Sequence, residues 1–280
     1  MPNTAENAGA PGALPERQLT DVEIEAEASR GRAVGIVSLG TVMAFAAGFF
    51  CLWLVQKDAA KSGGDVSSLL LIAAHKGQFI LSYFFFAIGS LLVAPILVHL
   101  ALAVRSRRPA APKLLLIVAV AGPALVALAL PAFTVAQITV ATNFADGAVH
   151  TGAEATRVIK SNGLQLTTLL YRFAEFVFAI AWVMVSLYSL RAGLLTRLVG
   201  YVGVAIGAAS VFAAPLAAIL QVFWIGSFSI LLLGRPQQRP PAWALGRAVP
   251  WGEVDALGRG EAADENPEDF AKAGKQEDES

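Results

Sequence analysis

Long apolar stretches separated by short polar segments dominate the chain between residues 33 and 233. A helix needs roughly 20 apolar residues to cross the hydrocarbon core of a bilayer. Four of the stretches have the length of a single crossing: Ala33–Val55, Phe79–Val104, Leu114–Gln137 and Leu169–Leu190. The pattern therefore predicts an all-α fold, a polytopic bundle of transmembrane helices.

The last apolar stretch, Leu198–Leu233, contains 36 residues. A single helix of that length would be about 54 Å long, which is too long for one crossing. Pro215 follows two alanines near the middle of the stretch, and proline begins a helix more readily than it continues one. We therefore predict two helices joined by a tight turn, which brings the total to six crossings. The alternative is five crossings, with part of this stretch re-entrant.

The distribution of lysine and arginine predicts the orientation, because short cytoplasmic loops carry an excess of both. One side of the predicted bundle has ten basic residues: Arg30, Arg32, Arg105, Arg107, Arg108, Lys113, Arg191, Arg197, Arg235 and Arg239. The other side has five: Lys57, Lys61, Lys76, Arg157 and Lys160. Both termini are therefore predicted to be cytoplasmic (N-in/C-in), and this arrangement requires an even number of crossings.

Polar segments flank the predicted membrane domain, residues 31–234. Residues 1–30 are predicted to be a mostly disordered cytoplasmic segment with a short acidic helix, which begins at the capping-box pattern of Thr20 and Glu23. They lack the apolar core of a cleavable signal peptide, so the first crossing is predicted to be the targeting signal. The acidic, aromatic-poor residues 252–280 are predicted to be disordered.

Composition narrows the possible chemistry. The chain is 56% hydrophobic and 15% charged, whereas soluble proteins carry roughly a quarter of charged residues. Its 21 basic and 21 acidic residues balance, so we predict no nucleic-acid partner. Cys51 is the single cysteine, which excludes an intrachain disulfide and thiolate-held metal sites. His99 lies at the opposite end of the predicted bundle from His75 and His150. His75 and His150 could share a site, but no cysteine or carboxylate accompanies them at a fixed spacing, and we predict no metal and no cofactor.

Arg172 and Glu175 are the only charged residues inside a predicted crossing, and their spacing allows them to pair on one helical face. Ionisable residues within a crossing are functional candidates, because inserting one at the bilayer centre costs about 2.5–3.5 kcal/mol. With Tyr171, Gln137 and Gln221 they could line an outward-facing polar cup. The alternative is a structural pair near the outer interface, among the polar residues usual at helix ends.

No catalytic motif is found, and we predict no catalytic residues. The preferred hypothesis is a structural, accessory or small-ligand-binding membrane protein rather than an enzyme. The alternatives are a transporter or channel that uses the polar cup, and a lipid-modifying intramembrane enzyme. The predicted partners are membrane lipid and either a second copy of the chain or another membrane protein.

The small residues Gly40, Ala44 and Gly48 favour close helix packing, within the bundle or between two copies.

Residues 235–251 are rich in proline, arginine and tryptophan and are predicted to lie along the cytoplasmic face, with Arg235, Trp243 and Trp251 as interfacial anchors. The C-terminal region contains the segments GLLTR (193–197), FW (223–224), LLLGR (231–235), PPAW (240–243) and PW (250–251). In this pattern the chain resembles a group of uncharacterised actinobacterial six-helix membrane proteins. The resemblance implies the multi-pass topology and a bacterial plasma membrane, and it brings no activity.

Overall fold

The computed structural model describes residues 17–57, 64–212, 214–234, 240–249 and 251. The segments predicted to be disordered, up to residue 16 and from residue 252, lie outside these residues, and so does Arg235. The described residues form helices and no strand, which confirms the all-α prediction. The helices are α1 (Asp21–Gln56), α2 (Asp65–Ala74), α3 (Lys76–Arg107), α4 (Leu114–Ala145), α5 (Gly152–Ile159), α6 (Asn162–Arg191), α7 (Arg197–Phe212), α8 (Ala214–Leu233) and α9 (Pro241–Leu245).

Five helices, α1, α3, α4, α6 and α8, are long and apolar enough to cross a membrane. This is the composition of a multi-pass membrane protein. The remaining candidate, α7, contains 16 residues and is about 24 Å long, somewhat short of a bilayer core. The break between α7 and α8 falls where the sequence predicts it, since α7 ends at Phe212 and α8 begins at Ala214.

Six helices form a closed ring in which each contacts the next: α1, α3, α4, α6, α7, α8 and again α1. Successive members of the ring run antiparallel. Gly48 and Gly31 of α1, for example, lie against Phe86 and His99 of α3. The other long helices alternate in the same way, so α1, α4 and α7 point in one direction and α3, α6 and α8 in the other. In addition, α3 contacts α6 across the ring, which fills its centre.

Glycines allow the close approach of several of these helices. A Cβ at Gly207 of α7 would lie 2.7 Å from the Ala179 carbonyl oxygen of α6, and one at Gly203 would meet Ser186 and the Trp224 indole. The indole Nε1 of Trp224 donates to the Val199 carbonyl at 2.7 Å, which ties α8 to α7. These small residues therefore serve packing within one chain.

The structure adds two short helices that the sequence analysis did not predict. Both α2 and α5 pack against the last turns of α4, where Leu69, Phe144 and Ala155 form a small apolar cluster. Helices of 10 and 8 residues are too short to cross a membrane, so the apolar stretches of crossing length do not include them. They lie at the end of the bundle opposite to α9.

The predicted short N-terminal helix is also not separate. The capping box is present, with the Thr20 hydroxyl accepting from the Glu23 backbone N–H, but the helix that begins there continues without a break to Gln56. Residues 21–30 are therefore the first turns of α1. They extend beyond its apolar part. This end of the bundle, which we call the basic end, carries Arg30, Arg32, Arg105, Arg107, Arg108, Lys113, Arg191 and Arg197.

A candidate ligand site at the basic end of the bundle

A fully buried ion pair joins α1 and α3. Arg107 is 0% exposed, and its Nη1 and Nη2 donate to the two carboxylate oxygens of Glu27 at 2.8 and 2.7 Å. The Arg107 Nε donates to the carbonyl of Ala242 in α9 at 3.1 Å. A buried guanidinium is stable only when its charge is compensated and its donors are satisfied. This pair therefore fixes the positions of three elements relative to one another.

Trp243 of α9 packs on the same guanidinium. The Arg107 guanidinium carbon lies 5.4 Å from the centroid of the indole, and the indole Nε1 donates to the Leu194 carbonyl at 2.8 Å. The imidazole of His99 stacks on the indole, with ring centroids 5.7 Å apart and an interplanar angle of 13°. We call Glu27, Arg107, His99 and Trp243 the basic-end cluster.

The position of Trp243 differs from the interfacial anchor that the sequence predicts. Its indole is 6% exposed and lies inside the protein, because the Leu194 carbonyl, Arg107 and His99 supply partners that headgroups would otherwise provide. Trp251 is partly buried, and the Arg197 guanidinium lies 5.4 Å from the centroid of its ring.

Two glycines in left-handed conformations position this C-terminal segment. Gly246 ends α9 at φ +64°, where a Cβ would lie 2.7 Å from Ile24. Gly193 has φ +70°, and a Cβ there would collide with the Val249 carbonyl. Because only glycine adopts such angles without strain and also leaves this space free, both positions require it. Gly193 of the C-terminal sequence pattern and Gly246 thus both have a packing role at the basic-end cluster.

A cavity of about 700 Å³ lies between α1 and α3 beside this cluster. Five charged side chains line it: the buried Glu27, and Arg17, Glu23, Arg30 and Arg105, which are exposed or partly exposed at its mouth. Both carboxylates are engaged, Glu23 by Arg17 at 2.6 Å and Glu27 by Arg107. Neither Arg30 nor Arg105 forms an ion pair with another described residue. The mouth of the cavity therefore carries two uncompensated positive charges.

The part of the lining nearer the middle of α1 and α3 is mostly apolar and includes Val34, Pro95, Val98 and Leu102. Leu102 is 43% exposed, so this wall faces the surroundings of the bundle. His99 also lines the cavity and is 7% exposed, and its Nε2 is buried without a hydrogen-bond partner in the described part of the chain. A buried polar atom without a partner is uncommon, since it loses hydration and gains nothing in return. The cavity therefore offers positive charge, apolar surface and one unused polar atom.

Three residues of the predicted outward cup, Tyr171, Arg172 and Glu175, lie on α6. The Arg172 Nη1 donates to a Glu175 carboxylate oxygen at 2.7 Å, and the two side chains are 61% and 14% exposed. Tyr171 lies next to them on α6, with its ring stacked on Phe133 of α4 at 5.1 Å. The carboxylate of Glu175 is also within electrostatic range of the Tyr171 and Tyr83 phenols. The structure thus brings Tyr171, Arg172 and Glu175 together.

Gln137 and Gln221 do not join this group. Within the described residues, no hydrogen bond links either side chain to Arg172 or Glu175. The Oε1 of Gln137 is buried without a partner, and Gln221 is 8% exposed on α8, which packs against α1 and α7. The larger polar cup around the pair on α6 therefore stays a prediction.

We expect Glu175→Gln to reduce stability more than the double change Glu175→Gln/Arg172→Gln does. The single change leaves the Arg172 charge without its partner, whereas the double change removes both charges. A double-mutant cycle of thermal unfolding in detergent measures the coupling, and additive effects would show that the two side chains do not stabilise each other. If the double variant folds normally but does not complement a deletion strain, the pair is functional rather than structural.

Sequence reasoning missed Glu27, Arg107 and His99 as members of one site. A signal for Glu27 was present, because Glu27, Gly31, Gly35 and Ser38 follow the helical period into the buried face of α1. A carboxylate in register with small buried residues indicates a buried partner. The sequence places Arg107 among the ten basic residues on one side of the bundle, and its burial depends on α9, which follows it by more than 130 residues.

The described residues contain no group of three or more histidine, cysteine, aspartate or glutamate side chains placed to hold a metal ion. Comparison of the chain with protein-family models, with curated proteins and with solved structures finds no match.

Proposed function

We propose that this protein is a six-crossing plasma-membrane protein that binds a small ligand in the cavity at its basic end and catalyses no reaction. The observation that supports binding is the cavity itself, with two uncompensated arginines at its mouth and an apolar wall below them. The basic-end cluster beside it is buried and held by several hydrogen bonds, so the cavity is formed before any ligand arrives. Ligand sites in proteins are commonly preformed in this way.

A tryptophan placed in the cavity tests this proposal. Ala33 of α1 lines the cavity and is exposed, so Ala33→Trp should fill the space without disturbing the core. Ala46 is an exposed alanine of the same helix outside the cavity, and Ala46→Trp is the matched control. The small molecules that co-purify with each variant from membranes in mild detergent are identified by mass spectrometry. We expect one class of molecule to be lost from the Ala33 variant only, and identical profiles for both variants would contradict the proposal.

Six crossings with cytoplasmic termini are supported by the alternating direction of the six ring helices. The two ends of the described chain also lie together, since the Leu19 backbone N–H donates to the Gly246 carbonyl at 2.8 Å. They are at the end that carries the larger number of basic residues, the cytoplasmic end by the positive-inside rule.

We therefore expect a reporter fused after Leu233 to score as cytoplasmic and one inserted at Pro215 to score as external. Paired alkaline phosphatase and fluorescent protein fusions provide this measurement. A cytoplasmic score at Pro215 would show that α7 does not cross the membrane and would favour the five-crossing alternative.

A transporter or channel is the second candidate, and the ion pair of Arg172 and Glu175 within a crossing favours it. A pathway requires water to reach Glu175 from the outside. In a Cys51→Ala background, labelling of Glu175→Cys by a membrane-impermeant thiol reagent distinguishes the two candidates. Rapid labelling from the outside would favour the pathway, and protection would favour binding at the basic end alone.

A further inference from the structure

We propose that the cavity between α1 and α3 binds one anionic phospholipid from the adjacent leaflet, with its phosphate between Arg30 and Arg105 and an acyl chain along the apolar wall of α3. This inference rests on the proposed function and specifies the ligand. It follows from charge, from the order of residues along α3 and from the unpartnered nitrogen of His99.

The charges at the mouth of the cavity select an anion. Glu23 and Glu27 are each neutralised by an arginine, Arg17 and Arg107 respectively. The Nε of Arg30 donates to the Ala26 carbonyl at 3.3 Å, and no described residue takes up the remaining donors of its guanidinium. Arg105 in the last turn of α3 is similarly unengaged. Two guanidinium groups at one opening provide the planar, charge-assisted donors that bind phosphate most strongly.

The residues of α3 that line the cavity change character along the helix axis. From Arg105 towards the middle of α3, the residues that line the cavity are Leu102, Val98 and Pro95. Their spacing places them on one face of the helix over about 15 Å. A cationic end continued by an apolar face matches a molecule with an anionic head and a hydrocarbon chain. A free phosphate would use only the upper part of this surface.

His99 supplies a polar group between these two regions. It lies about 9 Å from Arg105 along the axis, six residues deeper. Its Nε2 faces the gap between the helices, since a Cβ on Gly31 of α1 would be 3.6 Å from it. In a phospholipid the ester carbonyls follow the phosphate and are hydrogen-bond acceptors. The Nε2 is enclosed in this conformation, so donation to such a carbonyl requires the imidazole to turn towards the cavity, and this turn gives the nitrogen the partner that it lacks.

The test uses the full chain purified in detergent and titrated with dioleoylphosphatidylglycerol, with dioleoylphosphatidylcholine as the neutral lipid. Thermal stability is the readout, because a ligand that binds the folded state raises the unfolding temperature. We expect Arg30→Gln and Arg105→Gln each to weaken the response to the anionic lipid by about tenfold. Arg32→Gln and Lys113→Gln remove the same charge from exposed residues outside the cavity and should leave the response unchanged.

His99→Phe separates specific binding from surface attraction. Phenylalanine retains an aromatic ring against Trp243 but has no ring nitrogen, so the folded protein should persist while lipid affinity falls. An equal response of all variants to the anionic lipid would overturn the inference, because it would indicate attraction to the general positive surface. The same stabilisation by inorganic phosphate alone would also overturn it, since no acyl chain would then be required.

The outcomes also separate this inference from the proposed function. If an uncharged molecule co-purifies with the unmodified protein but not with the Ala33→Trp variant, and the anionic lipid does not raise the unfolding temperature, the cavity is a ligand site and the lipid assignment is wrong. If neither measurement distinguishes the cavity variants from their controls, both proposals fail.

Discussion

Replacing Arg107 with glutamine is expected to destabilise the protein by about 3–5 kcal/mol, because the change leaves the Glu27 carboxylate buried without a compensating charge. The side chain of Glu27 is 8% exposed, so water cannot replace the guanidinium. Glutamine extends only as far as the position of the arginine Nε, so it can still donate to the Ala242 carbonyl but has no groups to replace Nη1 and Nη2, which bind Glu27. The measurement is thermal or denaturant unfolding of the purified chain in detergent.

A double-mutant cycle isolates the ion pair from the other contacts of Arg107. Glu27→Gln alone leaves the guanidinium uncompensated, whereas the double variant contains no buried charge and should be more stable than the sum of the single effects implies. The exposed pair of Arg157 and Glu154 provides the control, and Arg157→Gln should cost less than about 1 kcal/mol. Additivity in the buried cycle, or equal costs at both sites, would contradict this account.

The helices of the bundle could be predicted from the sequence because each contains enough consecutive apolar residues to be recognised alone. The break before α8 could also be predicted, since the constraint that proline places on the backbone is local. The apolar pattern alone does not distinguish five crossings from six. The helix on which this depends, α7, has 16 residues and relies on glycine contacts with α6 and on Trp224 of α8 for its position.

The candidate site was less accessible to sequence reasoning. Glu27 and Arg107 are separated by 80 residues, and Arg107 and Ala242 by 135. No local sequence pattern indicates that Glu27, Arg107 and Ala242 come into contact. The sequence therefore presents the cationic loop and the tryptophan-rich tail as two separate features of the membrane surface. By contrast, Arg172 and Glu175 pair within one helical turn, and their pairing could be predicted from spacing alone.

The glycines and tryptophan of the C-terminal pattern illustrate the difference between recognising residues and explaining them. The sequence singled out Gly193 and Trp243 through their place in a recurring pattern, and Gly246 lies between two of its segments. The structure gives each a physical reason: two left-handed turns that bring the C-terminal segment against α6 and α1, and an indole that fills the space between Arg107 and the Leu194 carbonyl. These residues therefore pack the C-terminal segment across the basic end of the bundle.

Trp243→Ala is expected to destabilise the protein by about 3–5 kcal/mol, the usual cost of removing a large buried aromatic side chain. The change removes the indole from between Arg107 and His99 and leaves the Leu194 carbonyl without its donor. Leu245 lies on the same short helix and is 41% exposed, so Leu245→Ala should cost less than about 1 kcal/mol.

Trp243→Phe divides this effect into its parts, because phenylalanine retains an aromatic surface and lacks the N–H group. We expect an intermediate loss of about 1–3 kcal/mol, the cost of leaving a buried carbonyl unsatisfied. Since His99 stacks on the indole, Trp243→Ala should also weaken the response to anionic lipid in variants that remain folded, whereas Leu245→Ala should not. Equal stability of the Trp243 and Leu245 variants would place the indole in the headgroup region, as the sequence alone suggested, and would remove it from the basic-end cluster.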